Sequence, residues 1–277
     1  MLKSILKYLI SSLLAAGLLY WAFSKSQLHW IDILNTLQQA DYHWVAVSVV
    51  IAILSHLLRA LRWEQLLDAM NYRPGTLRTL SAVLIGYFAN FLVPRLGEVS
   101  RCGSLKKTAD IPFEKSFGTV ITERIVDLLS LVVLIGITFL FEWEPLQKSL
   151  FPTLQLPSGA FILTASLLGL IGLGVLWKCK DFLQNIGLES KLGQMILGWI
   201  AGIGSIRHLD QPSKFIAYSI GIWLCYYLST YTLFLAFPIS ENLGMNAALT
   251  ILVMGTFGMA TPTQGGIGAY HSLVASA

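Results

Sequence analysis

This chain of 277 residues is 55% hydrophobic and only 12% charged, about half the charged fraction of an ordinary soluble domain. With a mean hydropathy of +0.66, it carries more apolar surface than a water-soluble fold of this length can bury, which excludes a soluble enzyme or binding module and leaves a bilayer as its solvent. The net charge of +4 follows the loops instead of clustering on one soluble face, so it orients the chain in the membrane and does not point to nucleic acid.

Spanning elements in hydrocarbon are helices or closed barrels, because each backbone N–H and C=O needs an internal partner. Barrel strands alternate in polarity over about ten residues, whereas the apolar runs here are longer and unalternated. The expected class is therefore all-α: a single integral membrane domain over residues 1–277 with about six or seven spans, a re-entrant hairpin near residues 80–105 and a broken helix near 255–275.

In chain order, the run from Ile5 to Phe23 follows Lys3 and Lys7 and reads as an anchor; it is long for a secretory signal, although Ala22 and Ser24 are small. Ile31 to Gln39 reads as a short amphipathic segment at the interface. A second span is expected from Trp44 to Leu61 and a third apolar run from Leu80 to Val93. Pro112, favourable in a first helical turn, opens a long helix to Phe141. Further spans follow at Ala160–Trp177, Phe215–Phe237 and Ala247–Ala260, with an amphipathic stretch from Phe182 to Leu197. The chain stops at Ala277 inside a continuing apolar segment, as a truncated or incomplete chain would.

Lysine and arginine placement orients the spans. Lys3 and Lys7 put the N-terminus in the cytoplasm, and Arg59, Arg62, Arg73 and Arg78 mark a cytoplasmic loop. Glu142, Glu144 and Glu241 fall outside, while Lys178, Lys180, Lys191, Arg207 and Lys214 return to the cytoplasm. The exception is Leu80–Val93, which has basic residues on both sides: Arg73 and Arg78 before it, then Arg101, Lys106, Lys107 and Lys115. It is also shorter than the roughly 20 residues of a full span. A re-entrant hairpin turning at Pro94 and Gly97 resolves both features, and such backbone survives at membrane depth only against protein or a wet cavity. A turn at Gly86 is the alternative, with Arg95 and Arg101 then at the interface. Pro262, Gly265, Gly266 and Gly268 break the last apolar stretch in a similar way, as discontinuous helices at transport sites do; the competing reading is a helix kinked at Pro262.

Charged residues at membrane depth are costly and should be paired. Glu123 and Asp127 share a face of the long helix at i,i+4, and Arg124 reaches Asp127 at i,i+3. Counted from Pro112 they lie about 16–22 Å along it. Arg95, Glu98 and Arg101 occupy the hairpin turn and its return arm, where guanidinium groups suit a phosphate and Glu98 can pair with Arg124 or hold an amine. Snorkelling charges at a helix end are the competing account. His271 is either a proton-responsive contact or a structural histidine; His56 has no evident partner. Gly169, Gly172 and Gly174 read as close helix packing. No nucleophile–base pair, phosphate loop or metal set is apparent, so no enzyme activity, cofactor or metal is expected, and any transport would be downhill or ion-coupled. Cys102, Cys179 and Cys225 form no CxxC or metal spacing.

Three motifs, Asn90-x-x-x-Pro94-Arg95-x-Gly97-Glu98-x-x-Arg101, Thr122-Glu123-Arg124-x-x-Asp127 and Pro262-x-x-Gly265-Gly266-x-Gly268, resemble those of the flippase-like family named after the membrane region of lysylphosphatidylglycerol synthases. The resemblance covers most of the chain and departs at His271, where many members carry glutamate. It implies a polytopic protein of a bacterial inner membrane that moves, or helps to move, a lipid between leaflets; the synthase domain fused to some members is not present in these residues. On this basis Asn90, Arg95, Glu98, Arg101, Glu123, Arg124 and Asp127 are expected at an anionic or zwitterionic phospholipid or polyprenyl-lipid headgroup. The alternatives are a membrane partner or scaffold of a lipid-modifying or glycan-assembly enzyme, and a small-solute secondary transporter.

Overall fold

The computed structural model describes residues 30–93, 96–141, 205–260 and 267–276, with Gly17 and Tyr20 besides. Eight helices of more than one turn lie among them: α1 Trp30–Gln38, α2 Tyr42–Asp68, α3 Thr76–Leu92, α4 Gly97–Ala109, α5 Phe113–Phe141, α6 Pro212–Ala236, α7 Met245–Ala260 and α8 Ala269–Ser276. The architecture is all-helical, as expected. Apart from Gly17 and Tyr20, the expected anchor at Ile5–Phe23 lies outside the described residues, as do the span at Ala160–Trp177, the amphipathic stretch at Phe182–Leu197 and the break at Pro262–Gly266.

Helices α2 and α6, of 27 and 25 residues, are long and apolar enough to cross a bilayer, while α3 and α7 are apolar but shorter. They run antiparallel to each other. Asp41 N–H donates to Ala236 C=O at 2.8 Å at one end. Ser48 and Ser229 exchange hydroxyl–carbonyl hydrogen bonds in the middle, and Arg62 reaches Ser219 further along. Small hydroxyl residues let helix backbones approach where apolar area gives no drive for association in lipid. Val49, Val50, Ile53 and Leu54 stay exposed on α2 and Ile216, Ile220 and Leu224 on α6, as lipid-facing surfaces do.

Helix α2 continues seven residues past the expected span end at Leu61. No breaker intervenes before Asn71, which adopts φ 64°, and Pro74. This extension inserts Trp63, Leu66 and Leu67 into the molecule with no exposed surface. Trp63 and Leu67 join Ala60, Ala82, Val83, Cys102, Leu105, Ile111 and Val120 in one apolar cluster. The core therefore sits at one end of the bundle, where α2 finishes, α3 and α4 pair, and α5 begins.

Helices α3 and α4 pair as a helical hairpin, and α3 runs unbroken through Gly86 to Leu92, so the turn falls between Leu92 and Gly97 and not at Gly86. Seventeen residues carry the turn about 25 Å from the helix start. The arms touch backbone to backbone: a Cβ on Gly97 would collide with Gly86 C=O and the Asn90 side chain. Pro94 and Arg95 lie outside the described residues.

At the C-terminal end, the Tyr270 ring lies over Gly255 of α7, and its backbone fills the space beside Gly258. Gly268, at φ +85°, supplies a turn that a side chain resists.

Candidate functional site

Glu123, in the first half of α5, has no exposed surface. Its Oε1 accepts hydrogen bonds from Arg59 Nη1 at 3.1 Å and Arg62 Nη2 at 3.0 Å, and its Oε2 lies 2.7 Å from Arg101 Nη1. One turn later Asp127 accepts from the same two α2 arginines, at 3.0 Å from Arg59 and 2.6 Å from Arg62. The i,i+4 spacing of the two carboxylates puts them on one face of α5, and the i,i+3 spacing of Arg59 and Arg62 does the same on α2. A planar guanidinium bridges two carboxylates where an ammonium would meet only one well.

Helix α6 closes the cluster. Arg59 Nη2 donates to Tyr226 Oη at 3.0 Å, Tyr226 Oη lies 3.4 Å from Tyr87 Oη, and Arg62 Nη1 donates to Ser219 Oγ at 3.3 Å. The Arg101 guanidinium stacks 4.7 Å from the Trp63 ring, and Trp63 Nε1–H donates to Thr119 Oγ1 at 2.8 Å. Five helices thus place polar groups around one buried carboxylate.

Outside this cluster lies a second pair. Arg124 Nη2 donates to Glu98 Oε1 at 2.9 Å, tying α5 to the first turn of α4; the two side chains are 52% and 25% exposed. Arg124 also comes within 4.0 Å of Asp127. Asn90 Oδ1 accepts the Gly97 N–H at 2.6 Å, so its carbonyl fixes the hairpin turn.

The structure therefore joins Glu98, Arg101, Glu123, Arg124 and Asp127 in one network and sets Asn90 at its root. The Arg124–Asp127 approach falls as the i,i+3 spacing predicts, and of the two options for Glu98 the structure shows the pairing with Arg124. Glu123 is wholly buried and does not snorkel. The expectation that overturns is the cytoplasmic loop at Arg59 and Arg62. Both sit inside α2, 6% and 0% exposed, because the helix continues and buried carboxylates hold them. Their shared face, followed by the apolar Trp63, Leu66 and Leu67, was the signal available in the sequence. Tyr226 and Ser219 had none.

The broken-helix residues do not join this site within what is described. Gly268 N–H approaches His271 Nδ1 at 3.4 Å at the start of α8, a local contact that makes Nδ1 the acceptor. Pro262, Gly265 and Gly266 lie outside the described residues.

Comparison with known proteins bears on the whole chain. The family described as the lysylphosphatidylglycerol synthase TM region matches residues 5–277. A UPF0104 membrane protein of Pyrococcus horikoshii is 28% identical over 144 residues, 50% of this chain and 41% of that protein. A UPF0104 membrane protein of Methanothermobacter thermautotrophicus is 24% identical over 279 residues, 88% of this chain and 77% of its own. Glycosyltransferase AglD of Haloferax volcanii is 30% identical over 107 residues, 38% of this chain and 17% of that protein. The chain thus matches less than half the length of two of these three relatives. No solved structure matches it.

Proposed function

We propose, from the premise that this chain belongs to the lysylphosphatidylglycerol synthase transmembrane-region family, that it is a lipid translocase with a headgroup site at the root of the α3–α4 hairpin. The observation that carries this reading is the burial of Arg59, Arg62, Arg101 and Glu123, with Asp127 beside them, in a membrane protein. Ionisable groups in such a position are expensive to desolvate and typically serve a pathway or a ligand. A purely structural role is the weaker account, since well-packed apolar side chains stabilise a helix junction as well as a buried ion network does.

In this mechanism the half-exposed Glu98–Arg124 pair is the entrance. A headgroup carrying phosphate displaces Glu98 from Arg124, and one carrying an amine displaces Arg124 from Glu98. The hairpin, held by Asn90 at Gly97, keeps the polar groups in place while the acyl tails stay in the bilayer along exposed Phe88, Phe91 and Leu92.

The test is a leaflet-resolved assay of purified protein in liposomes with a panel of labelled phospholipids and polyprenyl lipids, run beside Arg124→Ala at matched reconstitution. Movement of one lipid class, lost in the variant, is the expected result. No movement of any lipid by well-folded protein would defeat the reading.

One observation favours a second function. The stretch shared with glycosyltransferase AglD suits a membrane partner of a glycan-assembly or lipid-modifying enzyme. Under that reading, replacing the cluster lowers abundance and enzyme recruitment without abolishing a transport step.

A further inference from the structure

Arg101 uses Nη1 on Glu123, and its Cζ lies over the Trp63 ring. Its Nε and Nη2 have no hydrogen-bond partner among the described residues, although the side chain is only 5% exposed. These two atoms form the side edge of the guanidinium, the fork whose parallel N–H groups take two oxygens of one anion. A buried donor pair without acceptors is costly, and here the ring stack and the ion pair hold it fixed.

The charges around it do not balance. In the buried cluster the guanidinium groups of Arg59, Arg62 and Arg101 face the carboxylates of Glu123 and Asp127, which leaves one positive charge uncompensated among the described residues. The outer Glu98–Arg124 pair is neutral within itself. Glu64, the next acidic residue on α2, accepts from the Thr76 hydroxyl at 2.9 Å, away from the cluster. Arg59 Nε and Arg62 Nε likewise have no partner among the described residues. In a low-dielectric site an unmatched charge selects its counterion by charge as well as by shape.

We propose that the ligand of this site is a singly charged phosphodiester of a membrane lipid whose headgroup is otherwise neutral, gripped by the Nε–Nη2 edge of Arg101. The inference rests on the headgroup site of the translocase reading and narrows its substrate. A phosphodiester has two equivalent non-ester oxygens sharing one negative charge, which answers both the fork and the single uncompensated cation. A phosphomonoester carries more charge than the cluster lacks. A zwitterionic headgroup brings a cation that Arg124 repels and that only Glu98, already paired, could meet. A carboxylate also offers two oxygens and one charge, and the binding panel separates it from the phosphodiester.

Equilibrium binding to the purified full chain in neutral micelles tests this, with short-chain phosphatidylmethanol, phosphatidylcholine and phosphatidic acid, decanoate and inorganic phosphate as probes. Phosphatidylmethanol should bind at least about tenfold more tightly than each of the others. Arg101→Lys keeps the charge but loses the fork, and should weaken phosphatidylmethanol by about tenfold or more. Asp127→Asn adds a second uncompensated charge and should move the preference towards phosphatidic acid. Equal binding of the choline and methanol lipids would overturn the proposal, as would undiminished binding to Arg101→Lys. Decanoate or free phosphate matching the lipid would reassign the site to carboxylates or to a soluble anion, and no binding at all would mean that the chain fills the fork itself. The wild-type panel decides the matter if the variants do not fold. Run with the leaflet assay, the two failures separate: lipid movement without charge preference defeats this inference alone, whereas selective binding without movement defeats the translocase reading alone.

Discussion

Glu123 is held by three arginines and has no exposed surface, so the cluster depends on it as a unit. Removing one partner of a buried ion network leaves uncompensated charge and typically costs about 3–5 kcal/mol. Glu123→Gln keeps the volume and removes the charge, so its unfolding free energy in micelles should fall by about that much. A loss below about 1 kcal/mol would mean that the arginines find water or another acceptor. Arg124 and Glu98 differ, because their exposure lets solvent screen the pair. Arg124→Ala should change stability by less than about 1 kcal/mol while abolishing lipid movement. A variant that unfolds early and loses transport only in proportion would assign Arg124 a structural role. The same contrast explains what the sequence made legible. Glu123/Asp127 and Arg124/Asp127 follow from local spacing on one helix, and Glu98–Arg124 was one of two options that the hairpin left open, whereas the Arg59 and Arg62 pairings join helices that no local rule brings together. A rule that assigns arginine after an apolar run to a loop misplaces both, since it weighs charge before asking whether anything ends the helix.

At the scale of elements, the hairpin is the device that brings α4 to the cluster. Arg101 reaches Glu123 only because α4 lies against α3 at the contact of Gly97 with Gly86. Its position was readable from the basic residues on both sides of a short apolar run and from Pro94 and Gly97; its depth was not, because apolarity alone does not say where a helix turns. Gly97→Ala places a methyl group against Gly86 C=O and the Asn90 amide. Overpacking of this kind costs about 1–3 kcal/mol, and here it should also pry Arg101 from Glu123. Hydrogen exchange should therefore speed up in α4 and in the first half of α5 together. Faster exchange confined to residues next to Gly97 would mean that the hairpin and the cluster are not coupled. Asn90→Ala removes the acceptor for the Gly97 N–H and should give the same pattern more weakly.

For the molecule as a whole, the ends of the bundle differ in charge in the way a membrane requires. Arg73 and Lys115 lie near Asp68 and Tyr72 at the end where α2 finishes, and Lys106 and Lys107 close α4 at the same end, beside the start of α5. Asp41 meets Ala236 at the opposite end, with exposed Glu241 just beyond. Sequence alone reached this polarity, because the positive-inside bias is a local composition rule; the core that α2 builds with α3, α4 and α5 was beyond it. The arrangement makes a topological prediction that separates a hairpin from a crossing. Single cysteines placed at Arg73, Lys107, Lys214 and Glu241, in a chain with Cys102, Cys179 and Cys225 replaced by serine, can be labelled with a membrane-impermeant maleimide in sealed vesicles of either orientation. If α3 enters and α4 returns, positions 73, 107 and 214 label from one face and position 241 from the other. If Leu80–Val93 crosses the bilayer, 73 and 107 label from opposite faces, and the buried arginines would then have to be matched from both sides of the membrane. An ion cluster built by α2, α4 and α5 at one end of the bundle is incompatible with that second outcome, so this labelling pattern tests the fold and the site together.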